Sequence, residues 1–489
     1  MLFNSLSYAV FLPAVFIVFW LMPKKFRWAV LLAASYYFYI SWGVKYCVWI
    51  ILTTAVSYVC AMLMEKFDGQ KKKKLFLVLP IVFIMGTLSV FKYFNFFSQT
   101  VGSVLRSFSL PVGDLTLNLI MPLGISFYSF QSVGYLADVY KGKTLAQKHI
   151  GKFALFISFF PHVLSGPIAR ANDLLPQLEC DVDFDFQKAS YGIRQLVWGF
   201  FKKFVVADVC AVIVDGVFND LVGRRGFVLI LAVVLYAFQI YCDFSGYSDI
   251  AIGSAKILGI DLMQNFKTPY MSRSIKEFWS RWHISLSTWF RDYVYIPLGG
   301  NRKGNVRYIC NILITFLVSG LWHGAAMTFI VWGLLHGVLR VFETYVYKIP
   351  FLKKIAPKKD DGKILCVSGI VKLVLTFSII CFTWIFFRSN SLSDAGYVVS
   401  NLFSGISSPL NYLKSGLSTL PMNNEYLVRL IPSLSLLVIS EALFVKKDMY
   451  TRMGEIKPVF RWLIYIVVLM MIFVLTPSNS NSDFIYFQF

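Results

Sequence analysis

The feature that most limits this chain is a succession of long apolar stretches separated by short, lysine-rich loops. The clear stretches lie at 5–22, 44–64, 75–94, 228–250, 308–323, 325–345, 364–388, 427–445 and 461–477, and shorter or more polar ones at 27–42, 119–137, 153–166 and 190–217. A helix needs about 20 predominantly apolar residues to cross the hydrocarbon of a bilayer. Only 15% of the 489 residues are charged, against about a quarter in soluble domains, so the apolar excess needs a non-aqueous solvent. The net charge of +21 does not point to nucleic acid. The cations sit in short loops between apolar runs, where the orientation rule for membrane proteins places them.

Residues 5–22 are long enough to span, and no small-residue cleavage site follows, so they read as a span rather than a cleavable leader. The eight cysteines are scattered without a C-x-x-C pair and read as small hydrophobes, not as disulfides or a zinc site. No repeat, low-complexity tract or soluble domain interrupts the chain.

Lysine placement predicts an orientation. Lys24 and Lys25, Lys66 and Lys71 to Lys74, Lys141 to Lys152, Lys348 to Lys363, and Lys446 to Arg461 fill alternate loops, whereas 95–118 holds only Arg106 and 389–426 only Lys414. With positive loops inside, both termini face outside. Arg224 and Arg225 run against this pattern if 228–250 runs inward.

Segment 271–300 differs from the spans. Ile275, Phe278, Trp279, Trp282, Leu286, Trp289 and Phe290 recur at helical spacing, while Arg273, Lys276, Arg281 and Arg291 lie largely off that face and Glu277 is placed to pair with Arg281. Such a helix reads as an anchor in the membrane interface. Two features favour a functional role beside that reading: His283 sits at the edge of the apolar face, and the segment runs into Asp292-Tyr293 and then Pro297-Leu298-Gly299-Gly300.

Five histidines exist. His149 reads as solvated in a basic loop. His162 precedes Ser165-Gly166-Pro167, a break that predicts a segment entering and returning; irregular backbone at membrane depth is tolerated only inside protein or along a cavity. His336, in Trp332-Gly333-Leu334-Leu335-His336-Gly337, fits helix packing through small neighbours as well as it fits chemistry. His323 ends an apolar run in Gly320-Leu321-Trp322-His323-Gly324, and an ionisable group in a span is a functional candidate by default. Two readings compete there: a structural histidine bonded to a carbonyl, and a general base that takes a proton from an attacking hydroxyl. Asp243 and Asp249, in Asp243-Phe244-Ser245-Gly246-Tyr247-Ser248-Asp249, read either as a hydrated helix end or as part of a site. No zinc-binding H-E-x-x-H, Walker A, Rossmann or G-x-S-x-G pattern is present, so either the donor arrives pre-activated or the protein is a glycan or lipid transporter.

Several segments resemble the membrane-bound O-acyltransferase family, and within it the alginate O-acetyltransferase branch. They are Pro122 to Tyr128, Gln131 to Tyr140, Ser165-Gly166-Pro167, Asp243 to Asp249, Glu277 to Arg302, Gly320 to Gly324 and, more weakly, Phe484-Ile485-Tyr486-Phe487. The resemblance implies an all-α polytopic membrane fold, a ring-like wall of about 11 to 13 transmembrane or re-entrant helices around a thin centre. The whole chain 1–489 then forms one membrane domain, with the motifs in 119–345 and further spans in 364–477.

The resemblance also implies His323 as the catalytic histidine and His283 as the second motif histidine. Asp243, Asp249, Trp322 and Asp292 fall in the shared motifs. It implies acetyl-CoA as donor, with no resident cofactor or metal. Transfer runs to a polysaccharide, commonly through a separate extracytoplasmic SGNH-hydrolase-like acetyltransferase. Arg281, Arg291, Arg302 and Lys303 are candidates to hold the donor's phosphates, because Arg recognises phosphate with a planar fork of donors; ordinary interfacial anchoring fits them equally.

Overall fold

A computed structural model describes residues 1–489 except 110–115, 118, 181, 351–365, 422–423, 446, 477–483 and 486–489. Lys353, Lys354, Lys358, Lys359, Lys363 and Lys446 of the expected basic loops, and Tyr486 and Phe487 of the closing motif, lie outside the described residues. The regular secondary structure among the described residues is helical, with no strand. Seven helices are long and apolar enough to cross a membrane, or up to eight if a bent pair counts as one span. The chain is thus an all-α polytopic membrane protein.

The chain divides into two compact units: Met1–Leu196 with Ile250–Met263, and Val197–Asp249 with Gln264–Phe489.

The first unit holds α1 (Leu6–Leu21), α2 (Arg27–Ile40), α3 (Val44–Lys66), α4 (Gln70–Ser107), α5 (Ile125–Tyr140), α6 (Ile150–Ser158), α7 (Ala171–Glu179) and most of α8 (Phe186–Phe200). Residues 95–107, expected as loop, continue α4; they contain no proline and only Gly102 as a breaker. After α6 the chain leaves the helix and turns back through 159–166 with its side chains buried. There Ser35 Oγ accepts the Phe160 N–H at 3.0 Å, and a side chain on Gly166 would collide with the His162 backbone at 2.4 Å. This is the returning segment expected around His162, and protein surrounds it. His149 does more than sit in solvent: its Nδ1 accepts the N–H groups of Gly151 and Lys152 and caps α6.

The second unit holds the last residues of α8, a π-helical turn at Phe201–Ala207, α9 (Asp208–Phe218) and α10 (Phe227–Ile257) as far as Asp249, the rest of α10 belonging to the first unit. The 31 residues of α10 run straight through Asp243 and Asp249, so neither carboxylate stands at a helix end. Segment 271–300 is not one helix. It breaks into α11 (Ile275–Arg281) and α12 (Ile284–Phe290), with His283 between them at φ 43°. The expected Glu277–Arg281 pair forms at 2.7 Å. The apolar face does not lie against lipid; Phe278, Trp282, Leu286, Trp289 and Phe290 are buried in protein, where Trp282 packs among Phe266, Tyr270 and Trp384.

A turn then leads to a hairpin of α13 (Asn305–His323) and α14 (Met327–Val346). Further helices follow at Val367–Arg388, Leu392–Asn401, Pro409–Ser418, Asn424–Phe444, Met449–Glu455 and Pro458–Leu475.

Candidate active site

The site grows from the α13–α14 hairpin. Gly320 and Gly333 bring the two helices into backbone contact: a Cβ on Gly333 would stand 2.4 Å from the Phe316 carbonyl oxygen. That crossing fixes the last turn of α13 and with it His323, which is buried. Its ring packs on Trp322 (centroids 4.9 Å apart), Trp332 (5.0 Å) and Phe387 (5.3 Å).

Two of these rings reach other histidines. Trp322 lies 6.0 Å from His283, and Trp332 lies 4.8 Å from His336. The structure thereby brings His283, His323 and His336 into one aromatic array. His162 belongs to the first unit.

Hydrogen bonds set the tautomers of the outer two. Asn265 Oδ1 accepts from the Ser285 N–H at 3.2 Å and from Ser285 Oγ at 3.0 Å, and stands 3.0 Å from His283 Nδ1. The Asn265 amide nitrogen donates to Ser248 Oγ at 3.2 Å, so the oxygen faces His283 and Nδ1 must carry the proton. Nε2 then keeps its lone pair. Burial pushes this imidazole down to about 3, which leaves it neutral. His336 is the reverse case: its Nδ1 accepts the Trp279 indole N–H at 3.2 Å, which puts the proton on Nε2.

Phe387 also links His323 to open space. With Phe329 it lines a cavity of about 420 Å³ whose other walls carry Asp208, Asp215, Asn219, Gln239, Asp243, Arg388 and Asn390. Carboxylates, amides and aromatic faces together suit a hydroxyl-bearing guest. Arg388 already pairs with Asp215 at 2.6 Å.

Behind this wall lies a buried ionic cluster that sequence reasoning missed. Lys203 Nζ reaches Asp243 at 2.7 Å and Asp208 at 3.0 Å. Asp243 Oδ2 also accepts the Ile485 N–H at 2.7 Å, and the Phe484 ring lies 4.4 Å from Lys203 Nζ. The closing motif therefore reaches the cavity wall. Farther along α10, Lys202 pairs with Asp249 and donates to Ser245 Oγ. Tyr241 bonds the buried Glu441. The available signal was Lys202-Lys203 inside the apolar stretch 190–217, because buried lysines need partners.

The expected donor residues are not gathered around one pocket. Arg281 is mostly buried and held by Glu277 and by Thr268 Oγ1 at 3.1 Å. Arg291 is exposed and pairs with Asp292 at 2.8 Å. Arg302 and Lys303 are exposed on the turn before α13. Beside that turn, a second cavity of about 530 Å³ is lined by Lys276, Asn301, Asn305, Arg340, Glu343 and Lys348.

Positions 145–387 match the model of MBOAT, the membrane-bound O-acyltransferase family. The chain is 37% identical to a probable alginate O-acetylase of Pseudomonas syringae pv. tomato over 81% of its length and 73% of that protein. It is 31% identical to a peptidoglycan O-acetyltransferase of Helicobacter pylori over 100% of its length and 98% of that protein. A teichoic acid D-alanyltransferase of Bacillus subtilis is 32% identical over 55% of this chain and 69% of that protein.

Proposed function

Because the chain belongs to the membrane-bound O-acyltransferase family and is an O-acyltransferase of the membrane, we propose that it carries acetyl groups from cytoplasmic acetyl-CoA to O-acetylate a polysaccharide outside. The names of the two relatives aligned over most of the chain, one for alginate and one for peptidoglycan, support acetyl over another acyl group and a glycan as the final acceptor. The observation that carries the mechanism is the contact of His323 with Phe387, which places the imidazole directly behind a cavity suited to a hydroxyl.

In this reading the acceptor enters by that cavity and its hydroxyl reaches past Phe387 to His323, which takes its proton as the oxygen attacks the acetyl carbonyl. The thioester C–S bond breaks, His323 returns the proton to the departing sulfur, and the donor leaves as the thiol. His283 presents its Nε2 lone pair across Trp322 and assists. The hydroxyl belongs to the glycan or to a serine of an SGNH-hydrolase-like partner. Arg291, Arg302 and Lys303 receive the donor's phosphates at the cytoplasmic face, while Arg281, tied to Glu277, holds the bend that carries His283. The lysine loops stay inside and both termini outside. Arg224 is tolerated in an outer loop because it binds Asp220 and the Thr419 carbonyl.

The test is purified protein in lipid nanodiscs supplied with isotopically labelled acetyl-CoA, together with mass spectrometry of surface glycans from cells with and without the chain. Loss of glycan acetyl groups in the deletion and donor turnover by the pure protein are expected. Unchanged glycans, or no turnover with any acyl donor, would overturn the reading.

A further inference from the structure

The first unit holds a cavity of about 300 Å³ that the proposed acyl-transfer site does not include. Its floor is apolar and buried, formed by Phe19, Leu31, Leu258 and Ile260. Its rim is cationic: Lys24, Lys25, Arg27 and Lys152. Two of these cations are spoken for. Lys24 bridges to Asp183 at 2.6 Å. The Arg27 guanidinium donates to the carbonyls of Met22, Val182 and Trp20 and lies over the Trp20 ring, so it holds the wall together. Lys25 and Lys152 have no carboxylate within ion-pair distance among the described residues. Among the described residues the one acid in the lining, Glu179, accepts from Gln147 at 2.5 Å.

The surroundings say where this cavity sits. Phe26, Ile150 and Phe184, sequence neighbours of the rim, are each half exposed, and Trp28 forms part of the lining. Exposed apolar and aromatic side chains next to lysines mark the depth at which lipid headgroups meet acyl chains. A concave site with an apolar floor, a tethered arginine and two ammonium groups that no described carboxylate pairs differs from loop lysines that only set orientation.

We propose that this cavity binds the phosphodiester headgroup of an anionic glycerophospholipid. Lys25 and Lys152 take the phosphate, and the first acyl carbons lie along Phe19, Leu31 and Leu258. Basic pockets between transmembrane helices recognise headgroups in this way. The site is independent of the acyl-transfer reading, because every residue in it lies in the first unit.

The test titrates the full chain in detergent with phosphatidylglycerol and with phosphatidylcholine and counts bound lipid by native mass spectrometry. Phosphatidylglycerol should bind preferentially, and Lys25→Gln/Lys152→Gln should lower its affinity about 20-fold, each surface lysine being worth roughly a factor of five. Lys71→Gln/Lys72→Gln, on the exposed first turn of α4, should leave it unchanged. Lys25 is exposed, so Lys25→Glu alone tests the site without disturbing packing and should weaken binding further than Lys25→Gln. Wild-type phosphatidylglycerol affinity in Lys25→Glu, or equal binding of the two lipids, overturns the proposal. Glycerol 3-phosphate competing as well as the lipid would assign the site to a free phosphate ester and overturn it too.

Discussion

Gly320 and Gly333 face each other where α13 crosses α14. A Cβ on Gly320 would stand 2.3 Å from the Phe329 carbonyl oxygen and one on Gly333 3.2 Å from the Gly320 Cα. Neither helix can yield without moving His323, three residues beyond Gly320. Gly333→Ala should therefore destabilise the protein by about 1–3 kcal/mol, the usual cost of overpacking, and lower transfer activity with it. Gly396, whose added Cβ would meet nothing within 4 Å, supplies the control: Gly396→Ala should be neutral or slightly stabilising. Thermal melting in detergent decides between them, and equal melting of the two variants would refute the hairpin argument.

The ion cluster behind the cavity makes a second prediction. Lys203 is fully buried between Asp243 and Asp208. Removing one partner of a buried pair costs about 3–5 kcal/mol, because the remaining charge loses its compensation. Lys203→Met, which leaves two carboxylates, should be the worst single change. Asp243→Asn, which leaves Lys203 paired with Asp208 and keeps an acceptor for the Ile485 N–H, should be milder. Expression and melting of the two variants in the reverse order would show that Asp243, not Lys203, is the centre of the cluster.

Much of this organisation was legible in the sequence, for reasons that also explain what was not. The spans announced themselves by length and apolarity, and the returning segment at His162 by Gly166 and Pro167. The break at His283 was hidden, because apolar side chains keep helical spacing from Ile275 to Phe290 while one residue at φ 43° redirects the chain; periodicity records faces, not a single inverted dihedral. Lys203 and Asp243 are 40 residues apart and His336 and Trp279 are 57 apart. No local pattern ties such residues together. The lysines inside 201–207 were visible as charges in an apolar stretch, but their partners had to come from the fold.

Orientation is open to a direct check. In a cysteine-free background, a thiol at Ser407, on the turn after Leu392–Asn401, should react with an impermeant maleimide on intact cells. One at Lys71, at the start of α4, should react only after permeabilisation. The opposite pattern would invert the lysine rule for this chain and put the proposed donor face outside.

The donor side turns on Arg291. Its guanidinium is exposed and bonded to Asp292 at 2.8 Å, so it can turn to a phosphate without a buried cost. A charge-assisted hydrogen bond contributes about 1.5–3 kcal/mol. Arg291→Ala should then raise the KM for acetyl-CoA by roughly ten-fold or more, with kcat and membrane insertion little changed. An unchanged KM would remove this residue from the donor site and leave it as an interfacial anchor.

His323 carries the sharpest prediction. The imidazole is buried against Trp322, Trp332 and Phe387, and Phe387 separates it from the cavity that an acceptor would fill. A structural histidine in that position would be replaceable by any side chain of similar volume that can hydrogen-bond. A base would not, because only the imidazole can accept the hydroxyl proton at neutral pH. General-base assistance is worth roughly 100- to 10,000-fold in rate. His323→Gln should thus fold and melt close to wild type, yet lose transfer by at least about 100-fold in kcat, with the KM for acetyl-CoA little changed. His323→Ala should lose as much activity and some stability, because it also leaves a cavity among three aromatic rings. The same pair of substitutions at His336, whose Nδ1 serves the Trp279 indole, should show the opposite split: glutamine, which supplies an acceptor for that N–H, should restore most of what alanine loses. Glycan O-acetylation near the wild-type level in His323→Gln, at matched expression, would make this histidine structural and move the base to His283, whose Nε2 lone pair is already in place.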